Sequence, residues 1–383
     1  MRRINLQLLV IALLSCVSVI PLLILPAMVG AIIDDYGMTA AAAGWSASLN
    51  FIGGAAASIG VSLRVRRLDL VRITAWGFLL AAAADLLSAA VGAHSESLFL
   101  LARLAAGVGA GTAYAAILSS VARCQDADRG FGVLMTLQFA LSAVGLYAIP
   151  LILPTIGIGG LFIGIALVEL LAILAVAQLA TPTAMTESGE HAGSAVELLL
   201  RPVVLLSILG VGLFQAANTA QFAYAERMGM AIDLSPATIG LALGISSILG
   251  VPGAYGIVWL GERFKRNAML MCGLGITSTG LLILLMAGNV VYYSIALCLL
   301  GFSWAFTVPC FQSIQADMDK QGSVVTAGAF ATTIGNAIGP AVAAAVVGSG
   351  DYARVVQVAI AFSIIAALCM APTRARFVVA AHR

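Results

Sequence analysis

Apolar runs of about twenty residues follow one another along almost the whole of this chain, and no other feature constrains its fold as much. Twenty helical residues at 1.5 Å each cover the roughly 30 Å hydrocarbon core of a bilayer. One run of similar length well inside the sequence is polar instead: residues 181–201, TPTAMTESGEHAGSAVELLLR, with Glu187, Glu190, His191, Glu197 and Arg201. It divides the 383 residues into two near-equal halves. Charged residues make up only 9% of the chain, against about 25% in an average soluble domain. Such a chain cannot cover a water-facing surface of its own, so its surface has to be solvated by lipid.

The expected architecture is all-α and polytopic. Twelve spans fit the apolar runs: 6–33, 43–63, 70–93, 97–121, 130–153 and 158–180 in the first half, then 203–225, 237–260, 267–287, 290–315, 323–347 and 352–372. Arg2 and Arg3 precede the first run, but that run is far longer than the 7–15 apolar residues of a secretory leader. It reads as a membrane helix. The domains expected are a six-helix bundle over 1–180, a linker over 181–201 and a second six-helix bundle over 202–383.

Orientation follows from where the cations fall. With a cytoplasmic N-terminus, 16 of the 19 Lys and Arg residues lie in cytoplasmic segments, two (Arg227 and Arg354) lie outside, and Arg103 is within a span. The positive-inside rule then puts both termini and the linker in the cytoplasm, in an inner membrane of bacterial type. The net charge of +2 gives no basis for nucleic-acid binding. Cys16, Cys124, Cys272, Cys298, Cys310 and Cys369 form no CxxC and no Cys/His cluster, so they read as small buried hydrophobes. No metal or other cofactor is expected.

The halves repeat. The loop after the fourth span reads Asp126-Ala127-Asp128-Arg129 and the loop after the tenth reads Asp317-Met318-Asp319-Lys320, 191 residues later. Basic loops also follow the second and eighth spans: Arg64, Arg66 and Arg67 in one, Glu262, Arg263, Lys265 and Arg266 in the other. This pattern suggests duplication and pseudo-twofold symmetry about the membrane normal.

With these motifs, the chain resembles the major facilitator superfamily of secondary transporters over its whole length. Arg103-Leu104-Ala105-Ala106-Gly107-Val108-Gly109-Ala110-Gly111 is similar to the family's fourth-helix signature R-x-x-x-G-x-G-x-G/A. Glu262-Arg263-Phe264-Lys265-Arg266 is similar to its acidic-Arg-x-Gly-Arg gating motif, with Lys265 in place of Gly; in the first half Arg64 stands where that motif has Asp. Gly335-Asn336-Ala337-Ile338-Gly339-Pro340 resembles a GxxxGP element, while the fifth span lacks the glycine-rich motif of drug/proton antiporters. The resemblance implies two six-helix bundles around one central cavity, alternating access and no catalysis. Gating falls to the loop residues Arg64, Arg66, Arg67, Glu262, Arg263 and Arg266.

Ionisable residues at membrane depth cost about 2.5–3.5 kcal/mol each on insertion scales, so each is a candidate site. Arg103 lies about 9 Å and Asp85 about 12 Å from the outer ends of their spans, close enough in depth to pair. Either they are a fixed ion pair, or Arg103 binds an anionic solute or governs a nearby acid. Glu169, mid-way along the sixth span, is a candidate proton carrier or a neutral hydrogen-bonded acid. Asp34 and Asp35 end the first span as a solvated turn or as proton acceptors at the outer mouth. The family resemblance favours the cavity for the fourth helix and a peripheral place for the third and sixth.

Gln215, Asn218, Gln221 and Tyr224 recur at spacing three along the seventh span, and a polar stripe in a membrane helix faces protein or water rather than lipid. They are the candidate solute wall, joined by Trp304 and Gln312 in the tenth span, Gln138 in the fifth and Asn336 in the eleventh. The function expected is transport of a small organic solute, leaning anionic or zwitterionic, coupled to protons, by a monomer. Proton-driven efflux of amphipathic compounds is the alternative, and a non-transporting sensor with the same fold is the alternative class. An enzyme would need clustered His, Asp or Cys at one depth, and His94, His191 and His382 all fall in loops or the tail.

Overall fold

The computed structural model describes residues 6–64, 68–122, 127–179, 198–260, 263–318, 323–348 and 350–380. Residues 181–197 of the linker, together with Arg66, Arg67, Cys124, Asp126, Glu262, Asp319 and Lys320, lie outside them. The described residues are almost entirely helical and contain no strand. The chain divides into two compact units, Met1–Thr186 and Glu187–Arg383.

The first unit contains α1 (Leu6–Ser18), α2 (Ile20–Leu23), α3 (Leu25–Tyr36), α4 (Ala40–Arg64), α5 (Leu70–Val91), α6 (Glu96–Ala122) and α7 (Ala127–Ile173), then a 3-10 turn at Val176–Gln178. The second contains α8 (Pro202–Ala223), α9 (Ala225–Met230), α10 (Pro236–Leu260), α11 (Arg266–Leu285), α12 (Val290–Met318), α13 (Ser323–Val346) and α14 (Tyr352–Ala380). Among the described residues, ten helices are long and apolar enough to cross a membrane, and α1 is a shorter apolar helix.

Two departures from the expected spans have local causes. The first span is three pieces, because Pro21 and Pro26 each open a new helix and cannot donate to the preceding turn. The Leu23 carbonyl at the second break accepts a hydrogen bond from Ser142 Oγ at 2.8 Å. The fifth and sixth spans run together as the 47-residue α7. A straight helix of that length would reach about 70 Å, more than twice the bilayer core. It turns at Gly157, whose φ of 64° and ψ of 173° are open to glycine and strained for other residues.

Close helix contacts are made by glycine. In α6, a Cβ at Gly107 would enter the Asn50 backbone of α4, and one at Gly111 would enter the backbone of Gly54. In α13, Gly335 and Gly339 bring that helix against the α8 backbone at Gly212 and Ala216. The glycine signatures of the fourth and eleventh spans are therefore packing surfaces. Large apolar side chains such as Trp76, Leu171, Trp259 and Leu368 remain mostly exposed, the outer face a lipid-solvated helix needs.

Candidate functional site

Arg103 is completely buried in the first unit, where α5, α6 and the second half of α7 meet. Its Nε donates to Ser88 Oγ at 3.0 Å, and its Nη2 is ion-paired with Asp85. The guanidinium carbon lies 4.4 Å from the Phe162 ring centroid and 5.9 Å from that of Phe99. These aromatic faces supply electrostatic contact where water is absent. Asp85 is 1% exposed and Glu169 2% exposed, and the Glu169 carboxyl is a close neighbour of both Asp85 and Arg103. Among the described residues, Arg103 Nη1 and Glu169 Oε2 have no hydrogen-bond partner. Three residues from three helices thus form one buried ionic cluster. Glu169 is an interior group here, not one on an outer helix face, because its side of α7 turns onto α5.

The second unit shows what the same position looks like without charge. Asn50 Nδ2 donates to the Arg103 carbonyl at 3.2 Å, and Ser246 Oγ donates to the Leu297 carbonyl at 2.8 Å. A Cβ at Gly107 would strike Asn50, as one at Gly301 would strike Ser246. These matched contacts put Arg103 on Leu297 and Gly107 on Gly301, 194 residues on. Likewise Ala81 packs on Gly109 as Thr277 bonds Ser303. Ala81 to Thr277 is a step of 196, which carries Asp85 to Leu281 and Ser88 to Leu284, both buried. The duplicated scaffold packs leucine where the first unit places Asp85, Ser88 and Arg103.

The polar stripe of α8 is buried in the second unit: Gln215 at 2%, Asn218 at 6% and Gln221 at 3% exposure. Trp304 Nε1 donates to Gln215 Oε1 at 2.8 Å, and Gln215 Nε2 donates to Asn336 Oδ1 at 3.3 Å. Residues from α12, α8 and α13 therefore join in one uncharged chain of donors and acceptors. Asn218 Nδ2 turns back to the Phe214 carbonyl at 2.9 Å. Gln221 Oε1 has no partner among the described residues. Tyr224 is fully buried at the end of the stripe, its ring 5.8 Å from that of Tyr352.

The remaining candidates are dispersed. Gln312 is exposed. Gln315, the same residue type three positions on, is the buried one; its Nε2 reaches the Ser207 carbonyl at 3.5 Å. Sequence reading passes over it because Gln312 lies nearer the expected mid-span. Gln138 belongs to the first unit, where it bonds Ser15 Oγ at 3.3 Å and Tyr114. Asp34 and Asp35 are exposed at the end of α3. Asp35 Oδ2 accepts from the Ile158 amide at 2.6 Å and so caps the helix that restarts after Gly157. At the loops, Arg64 is exposed, Arg263 stacks 5.0 Å from the Trp259 ring, and Arg266 pairs with Asp317 at 2.5 Å. Tyr36, not singled out from sequence, bridges two helices: its hydroxyl donates to the Ser88 carbonyl at 3.3 Å and its ring meets Phe99 edge-on at 5.6 Å.

No curated protein matches this chain. Among solved structures, a point mutant of the nucleoside transporter NupG superposes with a TM-score of 0.79 over 95% of this chain and 98% of its own, at 12% identity. That likeness concerns the fold. The family model described as Major Facilitator Superfamily matches residues 8–340, and it establishes that the chain belongs to the Major Facilitator Superfamily, a membrane transporter and not an enzyme.

Proposed function

We propose that this chain is a proton-coupled secondary transporter that moves a small polar organic solute by alternating access. In this reading each unit contributes six crossings: Gly157 divides α7 into two, and Leu6–Tyr36 supplies the first. The cation count supports cytoplasmic termini.

The observation that carries the solute assignment is the uncharged Trp304–Gln215–Asn336 chain within the second unit. Burying so many amide groups is costly unless they are matched. An incoming solute that offers donors and acceptors matches Gln221 and can exchange with the pairings of Gln215. Amide and indole groups carry no net charge, which favours a neutral or zwitterionic solute over an anion. Arg103 is occupied by Asp85 and Ser88, with only Nη1 uncommitted. A nucleoside, the solute named for the NupG neighbour, has the required ring and polar edges and belongs among the probes.

The test is thermal unfolding of the purified protein in detergent with nucleosides, sugars, organic anions and lipophilic cations. A ligand that binds only the folded state raises the melting temperature by mass action. Neutral polar solutes are expected to stabilise, and Gln215→Ala to weaken that binding about tenfold, through hydrogen bonds worth roughly 0.5–1.5 kcal/mol each. Stabilisation by an anion that disappears in Arg103→Gln would return the assignment to an anionic solute. Stabilisation by lipophilic cations alone would favour the efflux reading.

A further inference from the structure

The membrane-facing side of α10 ends in a pattern that the first unit lacks. Ile245, Ile248, Tyr255 and Trp259 are all exposed, and their spacing keeps them on one face of the helix. That face runs for about 21 Å, more than the roughly 15 Å of one leaflet's acyl region. Just beyond it the Arg263 guanidinium lies over the Trp259 ring, 5.0 Å from the centroid. The track passes from aliphatic to aromatic to cationic where the apolar span stops. A phospholipid has the same order of parts: acyl chain, glycerol boundary, phosphate.

The charges at this end are open to a ligand. Arg72 is paired with Asp69, Arg266 with Asp317 and Arg354 with Asp351. Arg263 and Lys265 are exposed, and among the described residues neither has a carboxylate or hydrogen-bond partner. A guanidinium over an indole face keeps N–H donors on its rim, in the fork geometry that fits a phosphate. Lys265 adds a cation where the related gating motif has glycine. Counted with Glu262, two cations and one carboxylate leave residues 262–265 a net charge of +1, the complement of a singly charged phosphodiester.

The first unit supplies the comparison. Asn50 and Ser246 make the matched helix contacts and are 196 residues apart. The same step sets Leu63 against Trp259 and Ile59 against Tyr255. Leu63 is exposed as Trp259 is, so lipid covers both positions, but the aromatic platform belongs to one repeat. The scaffold does not require it.

We propose that the end of α10 and the loop after it bind the headgroup of an anionic phospholipid, with Trp259 and Arg263 as the platform and Lys265 as the second cation. The phosphodiester lies against the two cations, and an acyl chain follows Tyr255 and Ile248 along the helix. The occupant is a lipid and not free phosphate, because the cations close an exposed apolar face. Arg266, already paired with Asp317, is left to the gating that the loop motif implies. The site needs only the membrane fold, and neither solute nor proton coupling enters it.

The experiment is quenching of tryptophan fluorescence by brominated lipids, with the whole chain reconstituted in vesicles. Trp45, Trp76 and Trp304 are changed to phenylalanine, which leaves Trp259 as the reporter. Brominated phosphatidylglycerol and brominated phosphatidylcholine are compared at equal mole fraction. Phosphatidylglycerol is expected to associate at Trp259 about fivefold more strongly, the effect of one cation at a membrane surface. Arg263→Gln combined with Lys265→Gln should make the two lipids quench equally. A protein whose sole tryptophan is Trp45, near the start of α4, should show no preference. Equal quenching at Trp259, a preference that survives the double glutamine change, or the same preference at Trp45 would overturn the site. If the single-tryptophan protein does not fold, native mass spectrometry compares wild type with the double glutamine variant. The wild type should retain more phosphatidylglycerol, and equal retention would overturn the site. No readout uses a solute, so this result and the melting experiment fail independently.

Discussion

Arg103→Leu alone is expected to cost about 3–5 kcal/mol of stability, the scale for removing one partner of a buried ion pair. It strands Asp85 at 1% exposure beside Glu169, with no cation to offset either. The measurement is the melting temperature in detergent together with the monodisperse fraction on gel filtration. Changing Arg103, Asp85 and Glu169 together to leucine is expected to restore most of that loss. The matched positions of the second unit already use Leu297 and Leu281, buried at 2% and fully, and hydrophobic replacement of a complete buried ion cluster is often neutral or stabilising. The restored protein should have no proton-driven solute accumulation. A triple variant as unstable as Arg103→Leu would mean that the ions hold the helices together and nothing more. An unperturbed Arg103→Leu would mean that the pair is not buried.

The second large effect is expected at Gly107. A Cβ there points into the carbonyl of Asn50 on α4, and backbone cannot swing aside as a flexible side chain can. Overpacking by added methyl or methylene groups costs typically about 1–3 kcal/mol. Gly107→Ala is therefore expected at or above the top of that range, and Gly107→Leu to give little or no folded protein. Gly275 in α11 is the control, since a Cβ there meets nothing within 4 Å and the residue is exposed. Gly275→Leu should melt within a degree or so of wild type, a near-neutral surface substitution. Equal loss at Gly107 and Gly275 would sink the close-approach account, since helix propensity alone favours leucine over glycine at both positions.

How much of this was legible in the sequence depended on the type of signal. The all-helical membrane fold was, because twenty-residue apolar runs with 9% charge have no other stable solution than backbone-satisfied helices in lipid. The family was legible in Arg103 to Gly111 and in Gly335 to Pro340, because glycine spacing along a helix is a one-dimensional record of where a neighbour comes close. The α8 stripe was legible for the same reason: spacing three marks one face, and Gln215, Asn218 and Gln221 are all buried.

The partners of those residues were not legible. Depth along a span suggested that Arg103 and Asp85 could meet, but depth contains no azimuth, and Glu169 joins them only because α7 turns at Gly157 and brings its second half against α5. Gln312 and Gln315 differ by three positions in one helix, yet only Gln315 is buried. In a helix apolar on most faces, periodicity does not say which face the neighbours cover. By itself, then, the sequence determined the solvent, the class of fold and the helix faces that pack closely, all consequences of local hydropathy and residue size. Only the tertiary structure decided which polar groups share a site, because two carboxyls and a guanidinium from three helices become one chemical unit through crossing angles and a backbone break, which no single stretch of chain records.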